Sequence, residues 1–279
     1  MLRTTVIGFI GAGTMGEVLI RGLIQSDGVP RSNILACDIR KDRLEYLAQT
    51  YGIQTTDSAG ELVQQASVVL IAVKPQSVDG LLETVSPMSR QGQLTISIAA
   101  GVTAGRISEA LHPGSGVIRA MPNAPASVLA GITALCPGPG STPDDLEIAR
   151  ALFECVGRTV LIRNEALMDA VTGLSGSGPA YVYLAIEALS DAGVGLGISR
   201  SESSLLAAQT VFGAAKMLLD SGKSPGALRD LVATPGGTTV AGLKMLEKCN
   251  FRSAIMEAVE AAAARSRELG VLINRKKQA

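Results

Sequence analysis

Apolar positions in the first part of the chain come in short, unbroken runs. Val6–Ile10, Ile34–Cys37, Val68–Val73, Leu94–Ile98, Val117–Ala120, Ile132–Leu135 and Thr159–Ile162 are each too short for a helix, and a further short run lies near Ile53. Runs of this kind suit strands covered on both faces. Between them, apolar residues recur at helical spacing: Val18, Leu19 and Leu23; Leu44, Leu47, Ala48 and Tyr51; Leu62 and Val63; and the stretch Asp144–Cys155. This alternation of strand and helix predicts a doubly wound α/β sheet. After Arg163 the strand runs stop. Ala166–Gly173 begins a helical pattern, Gly176-x-Gly178-Pro179 interrupts it, and Ala180–Gly193 resumes it with Leu184, Ala185, Ala188 and Leu189 on one face. Leu205, Ala208, Phe212, Ala215 and Leu219 mark another helix, and Ala254, Ile255, Ala258, Val259 and Ala262 the last. The expected domains are therefore a sheet over 1–163 and an all-helical domain over 164–279. The later helices are apolar over more than one stripe, more than one chain can bury there, which predicts a homodimer of interlocked helices. The basic tail Asn274–Ala279 is expected to be loose.

The first run leads into Gly11-x-Gly13-x-x-Gly16 and then a helix. Strand, glycine turn and helix form the context of a dinucleotide fingerprint. Gly11 permits the tight turn, Gly13 lets backbone approach a pyrophosphate, and Gly16 lets the helix pack close to the strand. Gly11, Ala12, Gly13, Thr14, Met15 and Gly16 are thus assigned to the cofactor. Asp38 ends the second strand, where an acid holds ribose hydroxyls and favours NADH. Arg40, Lys41 and Arg43 follow, where basic residues hold a 2′-phosphate and favour NADPH, or simply form a solvated first turn. NADPH and NADH both remain open. Later strand ends supply Ala72, Val73, Lys74 and Pro75, then the small residues Ala99, Ala100 and Gly101, which would let a flat ring lie close. Asn123 stands in Met121-Pro122-Asn123-Ala124-Pro125, either to bond a nicotinamide carboxamide or to make a turn.

In the helical half, Ala233-Thr234-Pro235-Gly236-Gly237-Thr238-Thr239 separates a short helix opened by Pro225-Gly226 from one carrying Val240, Leu243 and Leu246. Thr238 or Thr239 is expected to cap the second helix through its hydroxyl. A helix start with two glycines leaves N–H groups bare for a small anion such as a carboxylate; the plainer alternative is an ordinary corner.

Charges balance at 25 and 25, which gives no sign of nucleic-acid or membrane attraction. Cys37, Cys136, Cys155 and Cys249 are scattered with no CxxC pair, which suits free thiols in a reducing compartment. The only histidine, His112, lies beside Pro113, so neither a His-rich metal site nor a His-dependent triad is expected. Glu187 and Asp191 interrupt the longest helical apolar run, and the apolar N-terminus runs into the glycine turn without a cleavage-type boundary. A soluble, cytoplasmic protein is expected.

Gly173-Leu174-Ser175-Gly176-Ser177-Gly178-Pro179-Ala180-Tyr181 resembles the pyrroline-5-carboxylate reductases, which make proline. So do Ala192-Gly193-Val194, Gly213-Ala214-Ala215-Lys216-Met217, Pro225-Gly226-Ala227-Leu228-Arg229-Asp230, Pro235-Gly236-Gly237-Thr238-Thr239, and Gly8-Phe9-Ile10-Gly11-Ala12-Gly13 with Ala72-Val73-Lys74-Pro75. The resemblance implies a Rossmann domain, a helical dimerisation domain, and an active site formed between the two. It also implies dimers that commonly assemble into decamers. On the same basis, backbone N–H groups of Gly236, Gly237 and Thr238 are expected to take the substrate carboxylate, and the catalytic Thr239 hydroxyl to bond the ring nitrogen. Ser175 and Ser177 would line the pocket or merely cap the helix from Pro179. The chain departs from the family in three places. Asp38 stands where many relatives have small polar residues, Ser67 where Asp is frequent, and Ala59 where some have a cofactor-contacting Asn.

Two rival classes share the glycine fingerprint. A β-hydroxyacid dehydrogenase needs a catalytic lysine one turn into the helix after Gly178-Pro179, where this chain reads Ala-Tyr-Val-Tyr-Leu. A non-catalytic nucleotide sensor would not need the Pro-Gly-Gly-Thr-Thr corner.

Overall fold

The computed structural model describes residues 2–275. Eight strands form one sheet in the order β3-β2-β1-β4-β5-β6-β7-β8. They are β1 (Ile7–Ile10), β2 (Ile34–Cys37), β3 (Gln54–Thr56), β4 (Val68–Ile71), β5 (Leu94–Ser97), β6 (Gly116–Met121), β7 (Gly131–Pro137) and β8 (Gly157–Leu161). Helices α1 (Thr14–Gln25), α2 (Lys41–Tyr51), α3 (Ala59–Gln65), α4 (Val78–Val85), α5 (Ala104–Ala110) and α6 (Pro143–Glu154) connect most of them. Alternate residues of each strand serve opposite faces. Ile7 and Phe9 pack with Leu19, Leu23, Leu152 and Phe153, while Ile10 packs with Leu62, Val63 and Leu82.

The strands from β3 through β6 in the sheet order are parallel, but β7 runs antiparallel to β6, pairing Met121 with Ala134. The expected strict alternation fails here for a geometric reason. Only a short 3₁₀ turn, Ala124–Val128, joins β6 to β7, and a parallel return needs a crossover of about a dozen residues. The chain has to turn back, after which α6 restores a parallel pairing of β7 with β8.

Contacts divide the chain differently from the expected boundary at Arg163. One unit comprises the residues up to Gly176 together with the chain from Ala261 onward, and the other is Ser177–Glu260. The reason lies in α7 (Met168–Val171) and in the C-terminal half of α12 (Phe251–Arg275). Met168 is fully buried beside Ala134 and Cys136 of β7. Asp169 accepts a hydrogen bond from Ser266 Oγ at 2.6 Å, and a Cβ on Gly270 would lie 3.2 Å from the Gly101 carbonyl oxygen. Of the basic tail, Asn274 and Arg275 continue α12, and the rest lies outside the described residues.

The helical unit contains α8 (Gly178–Gly195), α9 (Arg200–Ser221), α10 (Pro225–Val232), α11 (Thr238–Lys248) and the first part of α12. α9 folds back on α8 through small and polar residues. Ser203 Oγ donates to the Ser190 carbonyl at 2.6 Å, and the hydroxyls of Ser190 and Ser204 lie 2.9 Å apart. Tyr181 donates to the Ala258 carbonyl at 3.3 Å. No helix among the described residues is long and apolar enough to cross a membrane.

Candidate active site

The glycine turn is shaped by close approach on one side and open space on the other. Gly11 has φ +93°, and a Cβ there would sit 2.7 Å from the carbonyl carbon and oxygen of Ala72. A Cβ on Gly16 would meet the Gly11 carbonyl oxygen at 2.5 Å, so Gly16 packs the helix onto the turn itself. Nothing lies within 4 Å of a Cβ on Gly13, the N-cap of α1. That N-cap has no side-chain hydrogen bond, and the N–H groups of Thr14 and Met15 have no partner among the described residues. Bare donors at the positive end of a helix fit a dinucleotide pyrophosphate. Met15 packs its side chain against the core.

At the end of β2, Asp38 accepts from Ala12 N at 2.8 Å through one oxygen and from Arg40 N at 3.0 Å through the other. Arg40 pairs with Asp42 at 2.5 Å on the surface, a contact too exposed to hold it strongly. Arg43 Nε donates to the Ala12 carbonyl at 2.6 Å, its Nη2 donates to Glu17, and its guanidinium lies over the Tyr46 ring at 5.1 Å. Glu17 also accepts from Tyr51 at 2.8 Å and Tyr46 at 3.0 Å. Burial alone would push the Glu17 carboxyl up. Hydrogen bonds from Arg43, Tyr51 and Tyr46 outweigh it and hold the group below the usual carboxylate value. Sequence reasoning missed Glu17, whose only signal is an acid in the first turn after the fingerprint.

The remaining strand ends differ in what they offer. Ala72 and Val73 are half-buried, and exposed Lys74 caps a 3₁₀ turn that Pro75 opens. Ala99 is buried and Ala100 half-buried. Gly101, at φ +76°, is approached by Gly270, so one expected ring-facing glycine lies against a helix of its own unit. Asn123 is engaged at both ends of its amide. Its Oδ1 accepts from Ile132 N at 3.0 Å, and its Nδ2 donates to the Ser175 carbonyl at 3.1 Å. It thereby ties the β6–β7 turn to a single π-helical turn, Thr172–Gly176, a local widening frequent at functional sites. Ser175 Oγ bonds the Val171 carbonyl at 3.1 Å, and Ser177 is the N-cap of α8 without a side-chain hydrogen bond. Neither serine caps the helix through its hydroxyl.

In the helical unit, the expectation that Thr238 or Thr239 caps α11 is corrected. The N-cap is Gly237, and the two threonines occupy the first helical turn. The Gly237 N–H is also not free for a carboxylate, because it closes a turn onto the Thr234 carbonyl at 2.9 Å. Gly236 adopts φ +72°, which lets that turn form. The N–H groups of Thr238 and Thr239, and the Thr239 hydroxyl, have no partner among the described residues.

A mostly parallel sheet with an uncapped glycine turn after β1 and an acid just after β2 has the build of a dinucleotide-binding domain. Comparison with known proteins agrees and goes further. Residues 6–101 match the model of the NADP oxidoreductase, coenzyme F420-dependent family, and residues 165–269 that of pyrroline-5-carboxylate reductase dimerisation. The pyrroline-5-carboxylate reductase of Methanosarcina acetivorans is 44% identical over 264 residues, covering 95% of this chain and 97% of the relative. The Escherichia coli enzyme of that name is 40% identical, covering 94% and 97%. Among solved structures, the Coxiella burnetii reductase superposes with TM-score 0.91 at 36% identity, covering 96% of this chain and 99% of that one. The Plasmodium falciparum reductase, with NADP bound, gives 0.86 at 32% identity, covering 97% and 100%. The chain belongs to the pyrroline-5-carboxylate reductase family.

Proposed function

We infer that the protein reduces 1-pyrroline-5-carboxylate to L-proline with NADPH or NADH, the last step of proline biosynthesis. The observation that carries this reading is a pair of helix starts capped by glycine alone, one at Gly13 and one at Gly237, in a chain of this family. When bound, the reduced nicotinamide supplies the hydride for the imine carbon. The protein's own groups place and polarise. The bare N–H groups of Thr14 and Met15 take the cofactor pyrophosphate, with Ala72 to Pro75 and Ala99 to Gly101 as the neighbouring strand ends. Thr238 and Thr239 offer their N–H groups to the substrate carboxylate beside Gly236, with the Gly237 N–H left to the turn. The Thr239 hydroxyl bonds the ring nitrogen. An iminium already carries its activating proton, so orientation and electrostatics suffice, and a histidine acid is not required. Ser177, the N-cap of α8, extends the substrate site within the helical unit, and Asn123 fixes the Ser175 backbone.

The dimerisation match supports a homodimer. Assembly of dimers into a decamer is the finer part of this reading and is checked by light scattering. The four free thiols suit a reducing, cytoplasmic compartment. The function is tested by loss of reduced-nicotinamide absorbance with 1-pyrroline-5-carboxylate, run in parallel with NADH and NADPH. Turnover with either is expected. No turnover from a folded dimer that still binds cofactor would favour a non-catalytic nucleotide-binding role.

A further inference from the structure

We propose that Asp38 and Arg43 clamp the Ala12 peptide from its two sides, making Arg43 a positioning residue of the dinucleotide loop and not a ligand for a 2′-phosphate. This rests on the reading that the glycine turn binds NADPH or NADH.

The peptide groups of Ala12 are held at both ends. Its N–H goes to Asp38 Oδ2 at 2.8 Å and its carbonyl accepts from Arg43 Nε at 2.6 Å. Ala12 lies between two glycines of opposite character, Gly11 locked at φ +93° against Ala72 and Gly13 facing open space. Glycine-rich backbone has much conformational freedom to lose on binding. Fixing Ala12 removes part of that loss in advance and sets where the following N–H groups point.

Arg43 is committed to this task by a second set of contacts. Its Nη2 holds Glu17, Glu17 holds Tyr46 and Tyr51, and the Tyr46 ring lies beneath the guanidinium. The side chains of Arg43 and Glu17 are 18% and 22% exposed, against 67% for Arg40. Turning Arg43 toward a ribose phosphate would leave the Glu17 carboxylate to Tyr46 and Tyr51 with no cation beside it, a costly exchange for a half-buried pair. Arg40 has no comparable commitment, since its partner Asp42 is equally exposed. Arg43 reaches the Ala12 carbonyl from Nε and Glu17 from Nη2, two donors held apart in a rigid plane, and a lysine ammonium has only one nitrogen on a flexible stem to serve both. Selectivity between the two cofactors is thus left to Asp38 and Arg40.

The test is a direct equilibrium titration of NADH and NADPH, followed by nicotinamide fluorescence, on the wild type and on Arg43→Ala, Arg43→Lys and Glu17→Gln, with melting temperatures of the cofactor-free proteins. Arg43→Ala should weaken both cofactors by about tenfold, leaving the ratio of their Kd values within about twofold. Arg43→Lys should not rescue either. Glu17→Gln, which keeps the arginine but loosens its anchor, should weaken both by a smaller, equal factor, and stands in if Arg43→Ala does not fold. Loss of NADPH affinity with NADH unchanged would overturn the proposal and make Arg43 a phosphate ligand. Unchanged affinity for both would overturn it as well. A wild type that binds neither cofactor would instead overturn the underlying nucleotide reading.

Discussion

In the sheet unit, β1, β2, β4 and β5 are buried along their whole length, and Phe9, Ile34, Leu70 and Ile96 are shielded completely. In the helical unit the pattern is reversed. α8 buries only Ser190, and α9 only Ser203 and Ala207. Leu184, Leu205, Phe212 and Leu219 stand more than half exposed. Every apolar face of the central strands meets a helix of the same chain. Within the helical unit α9 meets α8 through serines and small residues, and large apolar side chains are left uncovered. One chain therefore completes the first hydrophobic core but not the second, which agrees with the dimerisation-family match over 165–269.

The largest expected effect breaks this contrast at its weak side. Phe212→Asp removes a large apolar side chain and places a charge where an apolar contact between subunits is expected, at a cost of about 3–5 kcal/mol for the lost side chain alone. Sedimentation should show monomer, and thermal unfolding should show loss of the helical transition, while the sheet unit still binds cofactor. A dimer of unchanged stability would mean that this face is not the one covered.

Gly11→Ala attacks the other unit. The φ of +93° costs a non-glycine residue about 1–3 kcal/mol, and the added methyl would collide with Ala72 backbone. Cofactor affinity should fall at least tenfold while the dimer persists, as read by fluorescence titration and sedimentation on the same sample.

Thr239→Ala removes one hydroxyl from the helical unit and should lower kcat by about 10²-fold with cofactor Kd unchanged. Steady-state kinetics with equal rates would remove Thr239 from the reaction.

The smallest effect concerns thiols of the sheet unit. Burial pushes Cys37 up to about 11 and Cys155 up to about 12. Folded values above the ordinary thiol value mean that stability is complete below pH 9 and is lost as pH rises through the folded values. The melting temperature should fall on the order of 5 °C over that range. Cys37→Ala with Cys155→Ala should flatten that slope, and an unchanged slope would assign it to other groups.

Much of this was legible before any fold was known. The strand runs and helical stretches appear where periodicity placed them, within a few residues. The direction of β7 is not legible in its residues, because Ile132–Leu135 has the same apolar run as a parallel strand, and only the short connection distinguishes them. The π turn at Thr172–Gly176 left no signal beyond its glycines. At the corner before α11, two threonines suggested side-chain capping, yet Gly237 holds the cap and closes its N–H onto Thr234.

By itself the sequence determined the alternation of strands and helices, the glycine turn, and the excess of apolar surface after Arg163. These depend on side-chain periodicity and on glycine stereochemistry, which act within a few residues. Which polar groups remain free was decided only by the tertiary structure. Arg43 is taken by Ala12 and Glu17, and Asn123 by Ile132 and Ser175. A hydrogen bond commits a donor to whichever acceptor the fold brings near, and most of those acceptors lie tens of residues away along the chain.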